Sequence, residues 1–405
     1  MVREPAGAAA GSRVFSVQRL LLVVSVAVFI DTMFYAVISP LLPVLSHQLH
    51  LSKLSAGVLT ASYPAGMLLG SLPGGALSVR MGPRFTVCTG LTLLVFSTIG
   101  FAWLNSAWSL DLTRFVEGCG GACSWAGGVA WIVAATPPER RGSVIGKALA
   151  MAIGGALLGP AIGALASATG RPALFTGLAM SGVALVAVVR TVPDEPQSSA
   201  QSLVEAVRVM VRPAMLRGMW LMIIPAIVSG AINVLGPLQL HELGAGTAVI
   251  GATFLVASAI EAALSPSVGQ LSDRYGRGLP LRIGLIAMAV TLACFTLPAT
   301  ALLLSLLIIV ICIVLGLFWA PAMALMSDVA ERDGVDQAHA AALMNLAWAA
   351  GQIVGSACGG ASAKAFGDLF PTAVVAGLSL LTFLFLLWTG WQGDPDRPAL
   401  ESEPV

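Results

Sequence analysis

Gly269-Gln270-Leu271-Ser272-Asp273-Arg274-Tyr275-Gly276-Arg277 closes a long apolar run. A worn copy, Gly75-Ala76-Leu77-Ser78-Val79-Arg80-Met81-Gly82-Pro83-Arg84, closes an earlier one. Each cassette is followed by a second glycine pattern: Gly155-x3-Gly159-Pro160-x2-Gly163 after the first, Gly351-x3-Gly355-Ser356-x2-Gly359-Gly360 after the second. The offsets agree (276 − 82 = 194; 355 − 159 = 196). Two patterns recurring in one order at one period mark an internal duplication. In a chain this apolar they point to the paired halves of a secondary transporter.

Of the 405 residues, 57% are hydrophobic and 10% charged, and the mean hydropathy is +0.90. Soluble domains carry about 25% charged residues, so this chain cannot clothe a surface that faces water, and the lipid bilayer is its expected surrounding. The net charge of +1 gives no reason to expect nucleic acid as a partner. The six cysteines all fall in apolar stretches without metal or redox spacing, so neither a disulfide framework nor a metal site is expected. Cys119 and Cys123 share a helix face and read as helix packing.

A helix needs about 20 apolar residues to cross the hydrocarbon. Runs of that kind predict twelve spans, near 19–45, 55–77, 85–105, 109–135, 144–167, 172–191, 218–240, 247–269, 281–299, 301–326, 339–362 and 370–391. The apolar run that opens the chain is too long for a cleaved signal and reads as the first span. The expected class is all-α integral membrane, with twelve transmembrane helices in two pseudo-symmetric six-helix halves. The first half covers 1–191 and the second 218–391, with a cytoplasmic linker at 192–217 and a cytoplasmic tail at 392–405. With both termini inside, 17 basic residues lie in inner segments and three (Lys53, Arg171, Lys364) outside. That asymmetry sets the orientation and predicts a multi-pass protein of the cell's inner (plasma) membrane.

Charges at mid-membrane cost roughly 2.5–3.5 kcal/mol each on insertion scales and persist for a purpose or a partner. Asp31 lies about half-way through the first span, where burial and a neighbouring cation would oppose each other, as a proton carrier requires. Arg114 and Glu117 lie one turn apart on the fourth span. They either pair with each other, or Arg114 faces the central cavity and tunes a carboxylate there. Glu261 sits about two turns inside the eighth span. Gly159-Pro160 removes both side-chain bulk and a backbone donor, predicting a bend and tight packing in span five. In the cassettes, Asp273, Arg274 and Arg277, with Arg80 and Arg84, read as a charged latch between the halves. Gly75, Gly82, Gly269 and Gly276 would supply its close approaches and turns. The aromatics Tyr63, Trp125, Trp131, Trp220, Phe318, Trp319 and Trp348 read in part as membrane-boundary anchors.

Over essentially its whole length the chain resembles the major facilitator superfamily, whose signature for the loop between spans two and three is the cassette G-x-L-x-D-R-x-G-R. Arg114-x-x-Glu117-Gly118-x-Gly120-Gly121-Ala122 is similar to the family's second motif, whose arginine is linked to proton coupling. The pattern at Gly155, Gly159, Pro160 and Gly163 is similar to the motif of the antiporter branch. Span one, Asp31 to Pro43, resembles the drug:proton antiporters and the vesicular amine transporters. Asn345 stands where an acid is expected in the latter, and Asp328 matches one of their carboxylates. The resemblance implies proton-driven efflux of small amphipathic or drug-like molecules by alternating access, functional as a monomer. The proton gradient would be its energy source and no cofactor would be involved. The runner-up is an uptake symporter for a nutrient. Enzymatic function is not expected, since no HExxH, GxSxG or paired-aspartate motif occurs.

Overall fold

The computed structural model describes residues 6–136, 141–193, 210–333 and 337–391. The middle of the expected linker, the tail at 392–405, and Arg3, Arg140 and Arg397 lie outside the described residues. Every regular element among the described residues is helical. Spans two to six are Lys53–Met81, Pro83–Trp103, Ala107–Ala135, Arg141–Thr169 and Arg171–Arg190. Spans seven to ten are Pro213–Glu242, Thr247–Tyr275, Gly278–Ala293 and Ala301–Arg332, and span twelve is Leu369–Trp388.

Two spans are interrupted. Span one runs Ala6–Ala36 and resumes as Ile38–Gln48. Pro40 explains the break at Val37, because it has no N–H for the Ala36 carbonyl and its ring crowds that group. Span eleven runs Gln337–Ile353, passes through a π-turn at Val354–Cys358, and ends as Gly359–Phe366. Span nine is shorter than its apolar run: the helix stops at Ala293, shortly before Pro298.

The duplication is written into the backbone. Gly82, entering span three, has φ 90° and ψ 156°, and Gly276, closing span eight, has φ 82° and ψ 154°. His50 and Gly244 form a second pair of positive-φ residues at that spacing (244 − 50 = 194), and Gly170 and Gly367 a third (367 − 170 = 197). Side-chain packing repeats as well. On span five, a Cβ at Gly155 would overlap the carbonyl oxygen of Phe29, and one at Gly159 would stand 2.6 Å from that of Met33. On span eleven, a Cβ at Gly351 would stand 2.6 Å from the carbonyl oxygen of Ile223, and one at Gly355 would overlap that of Ile227. The acceptors match in register (223 − 29 = 194; 227 − 33 = 194), so the fifth helix of each half lies against the backbone of the first.

The first glycine of each cassette behaves differently from the turn glycine. A Cβ at Gly75 or at Gly269 would meet nothing within 4 Å, so neither makes the close approach expected of it. Gly82→Ala or Gly276→Ala should therefore lower stability by about 1–3 kcal/mol, because that φ,ψ region is essentially open to glycine alone. Gly75→Ala and Gly269→Ala should be neutral or slightly stabilising. Thermal unfolding of the four purified variants checks this, and equal losses at all four would refute it.

The chain divides into two compact units. One contains 1–36, 66–159 and 169–200, and its apolar core runs through Leu20, Val24, Val28, Leu91, Trp131 and Val189. Glycines of span two seat the backbone of span four here: a Cβ at Gly70 would lie 3.0 Å from Cys119 Cα, and one at Gly74 3.3 Å from Cys123 Cα. The two cysteines are part of a helix seam and all six are free thiols. The other unit contains 37–65, 160–168 and 201–405. In it a Cβ at Gly57 would overlap the Ser356 carbonyl oxygen, and one at Gly360 would overlap that of Lys53, bringing the start of span two against span eleven. Tyr63, Trp131 and Phe318 are fully buried, so these three pack the interior and do not anchor a membrane boundary. Trp220 is exposed, as are Trp103, Trp108 and Trp388, and these four suit that role.

Candidate functional site

In the first unit three ionisable side chains are buried together with the middle of span one and span four: Asp31, Arg114 and Glu117. Asp31 is fully buried, and Trp125 Nε1 donates to its Oδ2 at 3.2 Å. Gly121 makes the room, since a Cβ there would stand 2.5 Å from Asp31 Oδ1. The glycine run at 118–121 thus has two jobs. Gly120 lets span four touch Gly90 of span three, and Gly121 leaves a niche for a carboxylate.

Arg114 Nη1 donates to both carboxylate oxygens of Glu117, at 3.0 and 3.1 Å. It also donates to the Phe34 carbonyl at 2.8 Å, while Nη2 reaches that of Tyr35 at 3.0 Å. Those carbonyls lie just before the break at Val37, where a proline-interrupted helix leaves acceptors to be satisfied by side chains. The guanidinium therefore pairs within its own helix, one of the two alternatives that were open, and it also grips the backbone of span one, which neither alternative named. Thr32 adds a third tie, donating to the Ala152 carbonyl of span five at 2.8 Å.

The charges are not duplicated as the glycines are. At the repeat spacing Asp31 corresponds to Pro225 (31 + 194 = 225). In the second unit Glu261 is half-buried on span eight, hydrogen-bonded to Trp319 of span ten, with its stem over Gly316. Asn345 is half-buried on span eleven. Neither Glu261 nor Asn345 is in the unit that holds Asp31 and Arg114. Pro160 and Gly163 belong to the second unit too, where a Cβ at Gly163 would overlap the Val37 carbonyl oxygen.

The cassette residues are partly engaged. Arg277 pairs with Asp328 at the end of span ten at 2.6 Å, giving that aspartate a partner. Asp273 is exposed, and Arg274 lies over the ring of Tyr275 at 5.4 Å. Arg80 is exposed, and Arg84 donates to the Val192 carbonyl at 3.3 Å.

Sequence reasoning missed an ionic cluster in the second unit. Lys53, first residue of span two, reaches both carboxylate oxygens of Asp368 at 2.8 Å and Glu242 at 3.4 Å. Burial works against the ammonium charge, and the hydrogen bond and charge of Asp368, with Glu242 beside it, outweigh burial and raise its pKa above the ordinary lysine value. A cation whose folded pKa is raised contributes its stability fully below the unfolded value of 10.5 and loses it as pH rises through the folded one. On the lysine side the cluster therefore holds throughout the neutral range. Nothing local signals these pairs, whose members are 189 and 315 residues apart (242 − 53; 368 − 53).

The chain belongs to the Major Facilitator Superfamily, whose profile matches residues 24–335 and 221–405. An uncharacterised MFS-type transporter of Escherichia coli, YcaD, is 27% identical over 256 residues, 62% of this chain and 66% of that protein, a little under two thirds of its length. Among solved structures, a D-xylose–proton symporter is similar at a TM-score of 0.74 and 20% identity, covering 94% of this chain and 98% of that one. The inward-open xylose transporter XylE of E. coli matches at 0.73 and 18%, covering 95% and 98%. The nucleoside transporter NupG matches at 0.72 and 14%, covering 91% and 99%. At these identities the structures share the fold of twelve helices in two pseudo-symmetric halves. The chain is a multi-pass membrane protein of this superfamily, whose members are transporters and not enzymes.

Proposed function

We propose that the protein is a proton-driven exporter of small amphipathic molecules, exchanging substrate for protons by alternating access. The observation that carries this is the placement of Asp31. Its carboxylate lies buried on span one, six positions before the break at Val37 (37 − 31 = 6), and the chain passes from one compact unit to the other at that break. Arg114 holds the two carbonyls between them. A change of charge on Asp31 thus acts on the segment that must move when one side closes and the other opens. One charge crossing 100 mV supplies about 2.3 kcal/mol, roughly fiftyfold in substrate ratio. The antiport direction rests on the Gly155, Gly159, Pro160 and Gly163 pattern, two of whose glycines press on the same stretch of span one as Asp31.

In the proposed orientation both termini are cytoplasmic in the cell's inner membrane, and the protein works as a monomer on the proton gradient alone. The cluster of Lys53, Asp368 and Glu242 then lies on the outer side. It joins the start of span two to the second half's helices, closing that side. Lys53→Gln should weaken the closure by about 1 kcal/mol, the upper range for a partly exposed pair. Amide exchange at residues 53–60 and 361–368 should speed up several-fold. The charge swap Lys53→Asp with Asp368→Lys should recover most of the protection, and unchanged exchange in Lys53→Gln would remove the cluster from gating.

Proteoliposomes with an imposed pH gradient, offered cationic, neutral and anionic amphipathic compounds, test the function. Substrate moving against the proton flow supports the exporter. Co-directional movement of a sugar or nucleoside would favour the uptake symporter, the activity named for the D-xylose–proton symporter of similar fold.

A further inference from the structure

Beside the first cassette, the structure holds a groove that proton coupling does not use. It has a volume of about 620 Å³ and lies between the start of span three and the end of span six. Its walls include Arg84, Phe85, Cys88, Thr89 and Thr92 of span three and Arg190 of span six. All of these residues belong to the first unit.

Three features define what fits. The mouth is cationic, with guanidinium groups contributed by two different helices. Arg190 is exposed, and Arg19 of span one joins the same corner by donating to Thr191 Oγ1 at 2.8 Å. Farther in, Thr89 and Thr92 spend their hydroxyls on the Phe85 and Cys88 carbonyls at 3.0 and 2.7 Å, so both donors are satisfied within span three. The groove also does not end within the protein. Phe85, Thr89, Thr92, Phe96, Ile99 and Trp103 follow at helical spacing down one face of span three, and Phe96 and Trp103 are 67% and 61% exposed. A free anion would use only the mouth of such a site. A ligand with an anionic head and a hydrocarbon tail uses all of it.

We infer that this groove is a binding site for one anionic glycerophospholipid. The phosphate lies between Arg84 and Arg190, and an acyl chain runs along the Phe85–Phe96–Trp103 face of span three. Basic pockets between transmembrane helices at the membrane boundary take acidic headgroups in this way. Arg84 of the worn cassette thereby acquires a role that needs no acid at Val79.

Native mass spectrometry of the full chain, delipidated in detergent and titrated with dioleoylphosphatidylglycerol or dioleoylphosphatidylcholine, tests this. The wild type should retain one phosphatidylglycerol in preference to phosphatidylcholine. The preference should be roughly thirtyfold, the product of about fivefold for each basic residue at a membrane surface. Arg84→Gln with Arg190→Gln should bring phosphatidylglycerol down to the phosphatidylcholine level. Arg217→Gln, the same kind of charge removal at an exposed position outside the groove, should not. Excess inorganic phosphate should fail to displace the lipid. Equal retention of the two lipids by the wild type overturns the assignment, and that comparison stands even if the double variant does not fold. Undiminished binding in a folded double variant, or equal loss in Arg217→Gln, also overturns it. Displacement by phosphate alone would show a free-anion site and refute the lipid.

Discussion

Asp31→Asn is expected to abolish transport driven by a pH gradient while leaving substrate counterflow in place. Asparagine keeps the volume of aspartate and an oxygen that can still accept from Trp125, now 3.2 Å from Oδ2, so the packing around span one should survive. It cannot gain or lose a proton, so the step that ties proton movement to the rearrangement of span one is removed. The readout is the ratio of gradient-driven flux to counterflow in the same proteoliposomes. A fall in both means damage to the fold, a fall in the first alone means loss of coupling, and unchanged gradient-driven flux would take Asp31 out of the mechanism. Gly121→Ala should depress the same ratio more mildly, because its Cβ would stand 2.5 Å from the carboxylate and force it from its niche.

Arg114→Ala should be the most destabilising single change at the site, by about 3–5 kcal/mol, the usual cost of leaving one member of a buried ion pair alone. Glu117 would lose the donor its two carboxylate oxygens share, and the carbonyls of Phe34 and Tyr35 would lose theirs. Arg114→Met with Glu117→Leu should regain much of that stability, since packed apolar side chains of similar volume often replace a buried pair without loss. The double variant should still fail in gradient-driven transport, having released span one beside its break. Arg114→Lys should be intermediate, because a single ammonium cannot reproduce four contacts shared across a planar fork. Thermal unfolding and flux of the three variants separate structure from coupling. A double variant that transports normally would make the pair purely structural.

Residues that act through their neighbours in sequence were legible from the chain alone. Apolar runs of membrane-spanning length and glycines at four-residue spacing express backbone geometry that a short segment carries with it, whereas the breaks near Pro40 and before Pro298 fall inside runs that read as continuous spans. The duplication was legible for the same reason, since turn glycines such as Gly82 and Gly276 and seam glycines such as Gly155 and Gly351 occupy positions where a Cβ is excluded. Asp31, Arg114 and Glu117 announced themselves because a charge within an apolar run demands an explanation.

Tertiary structure alone decided what those charges touch. That Trp125 holds Asp31, that Arg114 divides its donors between Glu117 and span one, that Lys53 meets Asp368, and that Arg84 and Arg190 share a groove depend on packing at separations of 3 to 315 residues. It also decided that a Cβ at Gly75 or Gly269 would meet open space while one at Gly121 would strike a carboxylate, although all three look alike in the sequence. A glycine states that a side chain is absent, and only the neighbouring helix states what occupies the space.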